Sequence, residues 1–141
     1  MEKMLKTAFG YAIAAMCTGV FYREFTKFSG FTGQTALSVV HMHLFLLGMV
    51  LFLLAALFCG KWELADNKRF QSFYLITNIG VPLTAAMLLV RGILQVNLVA
   101  LSSGMDAAVS GIAGIGHILT GIGIVFFFLA LFQTVLEDKK E

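Results

Sequence analysis

Ser38-Val39-Val40-His41-Met42-His43-Leu44-Phe45-Leu46-Leu47-Gly48-Met49 places two histidines inside an apolar segment that runs from about residue 35 to residue 59. Some 20 apolar residues are enough to carry a helix across a hydrocarbon layer of roughly 30 Å. An ionisable side chain inside such a span costs a few kcal/mol unless it finds a partner, so the histidines mark a candidate site. The whole chain has the same character. Of its 141 residues 59% are hydrophobic and 13% are charged, whereas a soluble domain carries about 25% charged residues. The charges gather in short runs between long apolar stretches, the pattern of an all-α, polytopic integral membrane protein whose surroundings are the lipid bilayer. A net charge of +2, with the basic residues at span ends rather than in one stripe, excludes nucleic acid as the expected partner. Cys17 and Cys59 fall in apolar stretches without a CxxC spacing and read as small hydrophobes.

Working outward, the sequence predicts a single domain of four transmembrane helices over about 4–23, 35–59, 70–95 and 107–136. The first has the basic start and small residues of a secretory signal. Its apolar run nevertheless reaches span length, and no cleavage site followed by a soluble domain is apparent. Residues 23–34, with spaced phenylalanines, glycines and charges, read as an interfacial loop, and Trp62 reads as an interfacial anchor. Pro82, preceded by Asn78 and Gly80, suggests a kink in the third span. Ser102-Ser103-Gly104 reads as the turn before the fourth, and Glu137 to Glu141 as a solvated tail. Lys3, Lys6, Lys61, Lys68, Arg69, Lys139 and Lys140 flank one side of this arrangement, against Arg23 and Lys27 on the other. That asymmetry predicts both termini inside, in a bacterial cytoplasmic membrane.

With that topology His41 and His43 lie roughly 9 and 12 Å inside the second helix, His117 roughly 15 Å inside the fourth, and Arg91 about 6 Å from the outer end of the third. All four fall in the outer half of the bilayer. Ser110, Ala113, Gly114, His117, Thr120, Gly121 and Ile124 share one helical side, a glycine-lined face that a neighbouring helix or a flat macrocycle can approach closely. Residues two apart on a helix differ by about 200°, so His41 and His43 point to nearly opposite sides. One is then a ligand and the other a hydrogen-bond partner, or the two serve separate sites. Each residue also has a plainer reading. An intramembrane histidine often only bonds a neighbouring helix, Arg91 can snorkel to the headgroups, and the glycines can be packing devices.

Tyr22-Arg23-Glu24-Phe25-Thr26-Lys27-Phe28 followed by Leu37-Ser38-Val39-Val40-His41-Met42-His43-Leu44 resembles a family of small bacterial four-helix membrane proteins of unknown function over nearly the whole chain. His41-Met42-His43 in a four-helix unit is also similar to the His-x-His of haem-copper oxidase subunit I, in which two histidines face opposite ways to two haems. That resemblance implies that a homo-oligomer, a trimer in outline, would mimic the three four-helix arcs of the oxidase. The chain lacks the full set of copper-site histidines, so the resemblance does not extend to dioxygen reduction.

The expectation from these residues is a haem-binding membrane protein with a b-type haem held by His43 and His117. Gly114 and Gly121 would leave room for the ring, Arg91 and Arg23 would neutralise propionates, and His41 would act as a supporting partner or as a ligand in a second site. Electron transfer or haem handling would follow, with a redox partner the sequence does not specify. Two rival expectations are a copper or other transition-metal site using the histidines with Met42 or Met105, and a structural membrane subunit without a cofactor.

Overall fold

In lipid every backbone polar group must be bonded within the chain, and helices achieve this locally. The structure, a computed structural model, describes residues 1–138. Among these, α1 (Glu2–Phe28), α2 (Leu37–Lys61), α3 (Lys68–Val96) and α4 (Ser103–Asp138) are each long and apolar enough to cross a membrane, and there are no strands. The fold is thus the expected all-α, multi-pass arrangement. Lys139, Lys140 and Glu141, part of the expected tail, lie outside the described residues.

α1, α3 and α4 outrun their predicted bounds at both ends, whereas α2 begins and ends about two residues later than predicted. No breaker interrupts α1 after Arg23; Thr26 bonds back to the Tyr22 carbonyl at 2.8 Å and Phe21 stacks on Phe25 at 5.2 Å. The helix stops only where Gly30 takes φ +61°, a conformation glycine adopts without steric cost. Asn67 caps α3, its Oδ1 accepting from the backbone N–H groups of Arg69 and Phe70 at 2.9 and 3.2 Å. Ser102 does the same work for α4, with Oγ accepting from Met105 N at 3.3 Å and its carbonyl from Asp106 N at 2.9 Å. The predicted turn at 102–104 is therefore the helix start, and Asp106 belongs to the first helical turn. Pro82 is accommodated inside α3, which continues unbroken to Val96.

Helix association in lipid rests on close packing rather than on a hydrophobic drive, and small residues permit the approach. α4 packs chiefly along α3, α1 packs along α2, and the first part of α2 packs on α3. Along the α3–α4 seam Thr77, Gly80 and Thr84 meet Gly123, Thr120 and Gly116 in antiparallel order. A Cβ added at Gly80 would lie 2.6 Å from the Thr120 backbone nitrogen, and one at Gly116 2.8 Å from that of Thr84. Below the seam Phe73 stacks on Phe127 at 4.6 Å and on Phe52 at 5.4 Å, joining α2, α3 and α4 in one aromatic cluster. At the opposite end Thr35 Oγ1 donates to the Gly92 carbonyl at 3.0 Å, and Ala36 N donates to Gln95 Oε1 at 2.7 Å, which pins the start of α2 to the end of α3.

Because the obstacle at Gly80 is backbone, Gly80→Ala should cost about 1–3 kcal/mol in unfolding titrations in mixed detergent. Gly111→Ala, where a Cβ meets nothing within 4 Å, should be neutral or slightly stabilising in the same assay.

Candidate functional site between the second and fourth helices

α2 begins with regular turns over Leu37–His43, and then widens into π-helical turns over Leu44–Val50 before resuming at Leu51. Such i→i+5 turns are rare, and often accompany functional sites. The two histidines sit in the last regular turn before the change, so the angular argument applies to them directly. His41 lies against α1, where a Cβ on Gly19 would be 3.7 Å from its Cγ. His43 faces the other way, toward α4, and its ring meets that of His117 edge-on with 5.7 Å between centroids.

The hydrogen bonds on these two rings determine which nitrogen is free. His43 Nδ1 lies 2.8 Å from the Val39 carbonyl oxygen and His117 Nδ1 2.9 Å from that of Ala113. A carbonyl can only accept, so each Nδ1 carries the proton and donates to the turn preceding it. In the neutral form of each ring Nε2 is then the lone-pair nitrogen, the tautomer found in metal-bound histidine whose other N–H is tied to a carbonyl. Two imidazoles sharing one ion at bonds of about 2.0 Å would have ring centres about 6 Å apart, close to the separation observed.

The surroundings divide along the same line. His43 lines a cavity of about 230 Å³ with Val39, Met42, Leu46 and Leu47. His117 is exposed on its own chain, and Gly114 and Gly121, one turn to either side, would each meet nothing within 4 Å if given a Cβ. Within the chain, these two glycines pack against no neighbouring helix. The close approach to α3 is made by Gly116 and Gly123, which the expected glycine-lined face omitted, and Thr120 of that face turns instead into the α3 seam. Among the described residues no group of three or more His, Cys, Asp or Glu side chains is placed to hold a metal ion, so the pair of imidazoles is the donor set on offer.

Arg91 lies above this pair at the α3–α4 seam. Its Nη2 donates to Asp106 Oδ1 at 3.0 Å, to Ser110 Oγ at 2.7 Å and to the Asp106 carbonyl at 3.4 Å. The guanidinium therefore has its counter-charge on the next helix, a partner hidden from the sequence reading because Asp106 was assigned to a loop. All three bonds use one nitrogen of a five-donor group, which leaves the rest of the fork for a further acid. Arg23 stands apart from the histidines on α1, 3.8 Å from Glu24 and largely solvent-exposed.

Residues 1–134 match the family described as "Protein of unknown function (DUF2871)". The chain belongs to that family. No curated protein and no solved structure matches it, so the likeness of His41-Met42-His43 to haem-copper oxidase subunit I gains no support, while the likeness to a small four-helix family of unknown function stands.

The Arg91–Asp106 pair is half-buried on its basic side, with 30% of the Arg91 side chain exposed. Asp106→Ala should lower stability by about 1 kcal/mol or somewhat more, because Arg91 loses its counter-charge without regaining full hydration. The Arg91→Ala/Asp106→Ala double variant should recover part of that loss, a non-additivity read from a double-mutant cycle in unfolding titrations.

Proposed function

We propose that this protein binds a b-type haem between α2 and α4, and that the imidazoles of His43 and His117 would hold its iron. The observation that carries the reading is the pairing of two half-buried to exposed histidines on different helices, each fixed by its Nδ1–H bond so that Nε2 is left free. The residues present fit the group. The donor set is two neutral imidazoles, which suit iron in an apolar bundle, and Gly114 and Gly121 leave the flanks of His117 open for a flat ring. α4 holds mainly to α3, so its His117 face is not already spent on contact with α2.

When bound, haem would supply a one-electron couple. The protein's own residues hold and orient it: Val39 and Ala113 lock the imidazole tautomers through their carbonyls, and Leu46 and Leu47 keep water from the His43 side. The unused donors of Arg91 reach for propionate while Asp106 balances its charge. Arg23, already beside Glu24, is the more distant candidate for that role. His41, turned toward Gly19, acts outside this ligand pair. Electron transfer or haem handling is the activity such a site serves. A bacterial cytoplasmic membrane with both termini inside is the setting favoured by the basic residues of the N-terminus and the α2–α3 connection, and a homo-oligomer, up to a trimer, would cover the exposed side of α4.

A copper site is the second reading, because the Met42 thioether lines the same small cavity as His43.

Protein expressed with ample haem and purified in detergent should show a Soret band that shifts on reduction. His43→Ala and His117→Ala should each abolish or strongly alter it, while His41→Ala should retain it. A colourless protein would sink the haem reading, and bound copper by elemental analysis would then favour the second; a normal spectrum in both His43→Ala and His117→Ala would exclude this ligand pair.

A further inference from the structure

On the other side of α2 the interior contains a second polar group with a specific environment. Asn78 lies on α3 ten residues beyond Lys68, where the helix begins, a rise of about 15 Å that brings it to the middle of a hydrocarbon layer of roughly 30 Å. Its side chain is held from two directions. The Tyr11 hydroxyl donates to Oδ1 at 3.1 Å, and Nδ2 donates to the Tyr74 carbonyl at 2.8 Å. Tyr11 is itself wedged in place, buried, stacked on Phe52 at 5.7 Å, and so close to α2 that a Cβ on Gly48 would fall 2.8 Å from the Tyr11 Cβ. Gly48 belongs to the π-helical turns of α2. The amide orientation is therefore set by the fold, and it leaves the second Nδ2–H uncommitted.

Pro82 stands one turn further along α3 and has no N–H to give to the Asn78 carbonyl, the bond that the residue four positions on ordinarily supplies. Asn78 thus offers a donor and an acceptor together at mid-membrane. Both Asn78 and Pro82 line a groove of about 440 Å³ between α1 and α3, whose other walls include Gly10, Ala14, Leu44 and Ala85. The volume lies within the range of small-molecule sites. Leu44 follows His43 directly, so the groove reaches the far side of the same stretch of α2.

We infer that this groove binds the ring of a membrane-soluble quinone, with Asn78 Nδ2–H donating to a quinone oxygen and the Asn78 carbonyl accepting from the hydroxyl of the reduced form. A phospholipid does not match these groups. Its acyl tails carry no polar atom, and its ester carbonyls stay at the interface, about 15 Å from the bilayer centre. A ring with carbonyl or hydroxyl oxygens and an apolar tail satisfies both Asn78 groups at that depth. Binding does not depend on haem; only the use of the quinone as redox partner of the His43–His117 site rests on that reading.

The test is equilibrium dialysis of a short-tailed benzoquinone, oxidised and reduced, against the purified full-length protein in detergent, with and without haem. Saturable binding of about one molecule per chain is expected in both preparations. Asn78→Leu should weaken both forms about tenfold or more, in line with loss of a hydrogen bond in an apolar site. Pro82→Ala removes a helix-breaking residue and should fold at least as well as the wild type. Its restored backbone N–H occupies the Asn78 carbonyl, so it should weaken the reduced form more than the oxidised one. Equal affinity in wild type, Asn78→Leu and Pro82→Ala, or complete displacement by phosphatidylcholine, overturns the proposal. Quinone binding to a protein that shows no Soret band even after expression with ample haem would reject the haem reading and leave this one standing.

Discussion

The contact between the backbones of α3 and α4 at Gly80 and Gly116 is the constraint on which the arrangement of this bundle depends. Lipid tails are as apolar as leucine, so nothing expels an apolar helix from lipid onto its neighbour, and association falls to van der Waals fit and interhelical bonding. At this seam Gly80 is so near Thr120 that any side chain would collide with main chain. The seam fixes both the height and the rotation of α4. Given that rotation, Gly116 and Thr120 face α3 while His117, one step round, is turned off the seam toward α2. The imidazole pair is thus a consequence of where the glycines sit.

The same seam explains the ion pair at its far end. Arg91 is three turns along α3 from Gly80, and Asp106 and Ser110 are at matching height on α4. An arginine inside or near a membrane normally escapes to the headgroups or finds an acid. Here the acid is provided by a helix that starts a turn early under the Ser102 cap. The guanidinium thus stands about two turns along α4 from His117 with its counter-charge on the same helix.

Much of the fold was legible in the sequence, because span length and charge placement depend on the chain and the bilayer alone. The opposite directions of His41 and His43 were legible too, since both precede the π-helical turns and obey the ordinary 100° step. The roles of the α4 glycines were not. Gly111, Gly114, Gly116, Gly121 and Gly123 are spaced so that they fall on more than one face, and only the partner helix decides which of them are packed. The Tyr11–Asn78 bond links residues 67 positions apart, and its existence depends on Gly48 admitting the tyrosine ring, a three-helix coincidence that no single periodicity displays. The start of α4 was missed because serines and a glycine carry a turn signal and a capping signal at once.

The π-helical turns of α2 give that helix a property its side chains do not describe. Each residue advances a helix by about 100°, and i→i+5 bonding accommodates more chain within a turn than i→i+4 bonding does. The wide turns hold about one residue more than regular turns would, so drawing the same seven residues from Leu44 to Val50 into i→i+4 geometry would swing the segment bearing His41 and His43 by roughly a quarter of a revolution against the segment bearing Phe52 and Ala55. Phe52 is anchored in the aromatic cluster, so the histidine half would have to yield. The wide turns, more than the identity of the residues in them, therefore keep the two ends of α2 in phase.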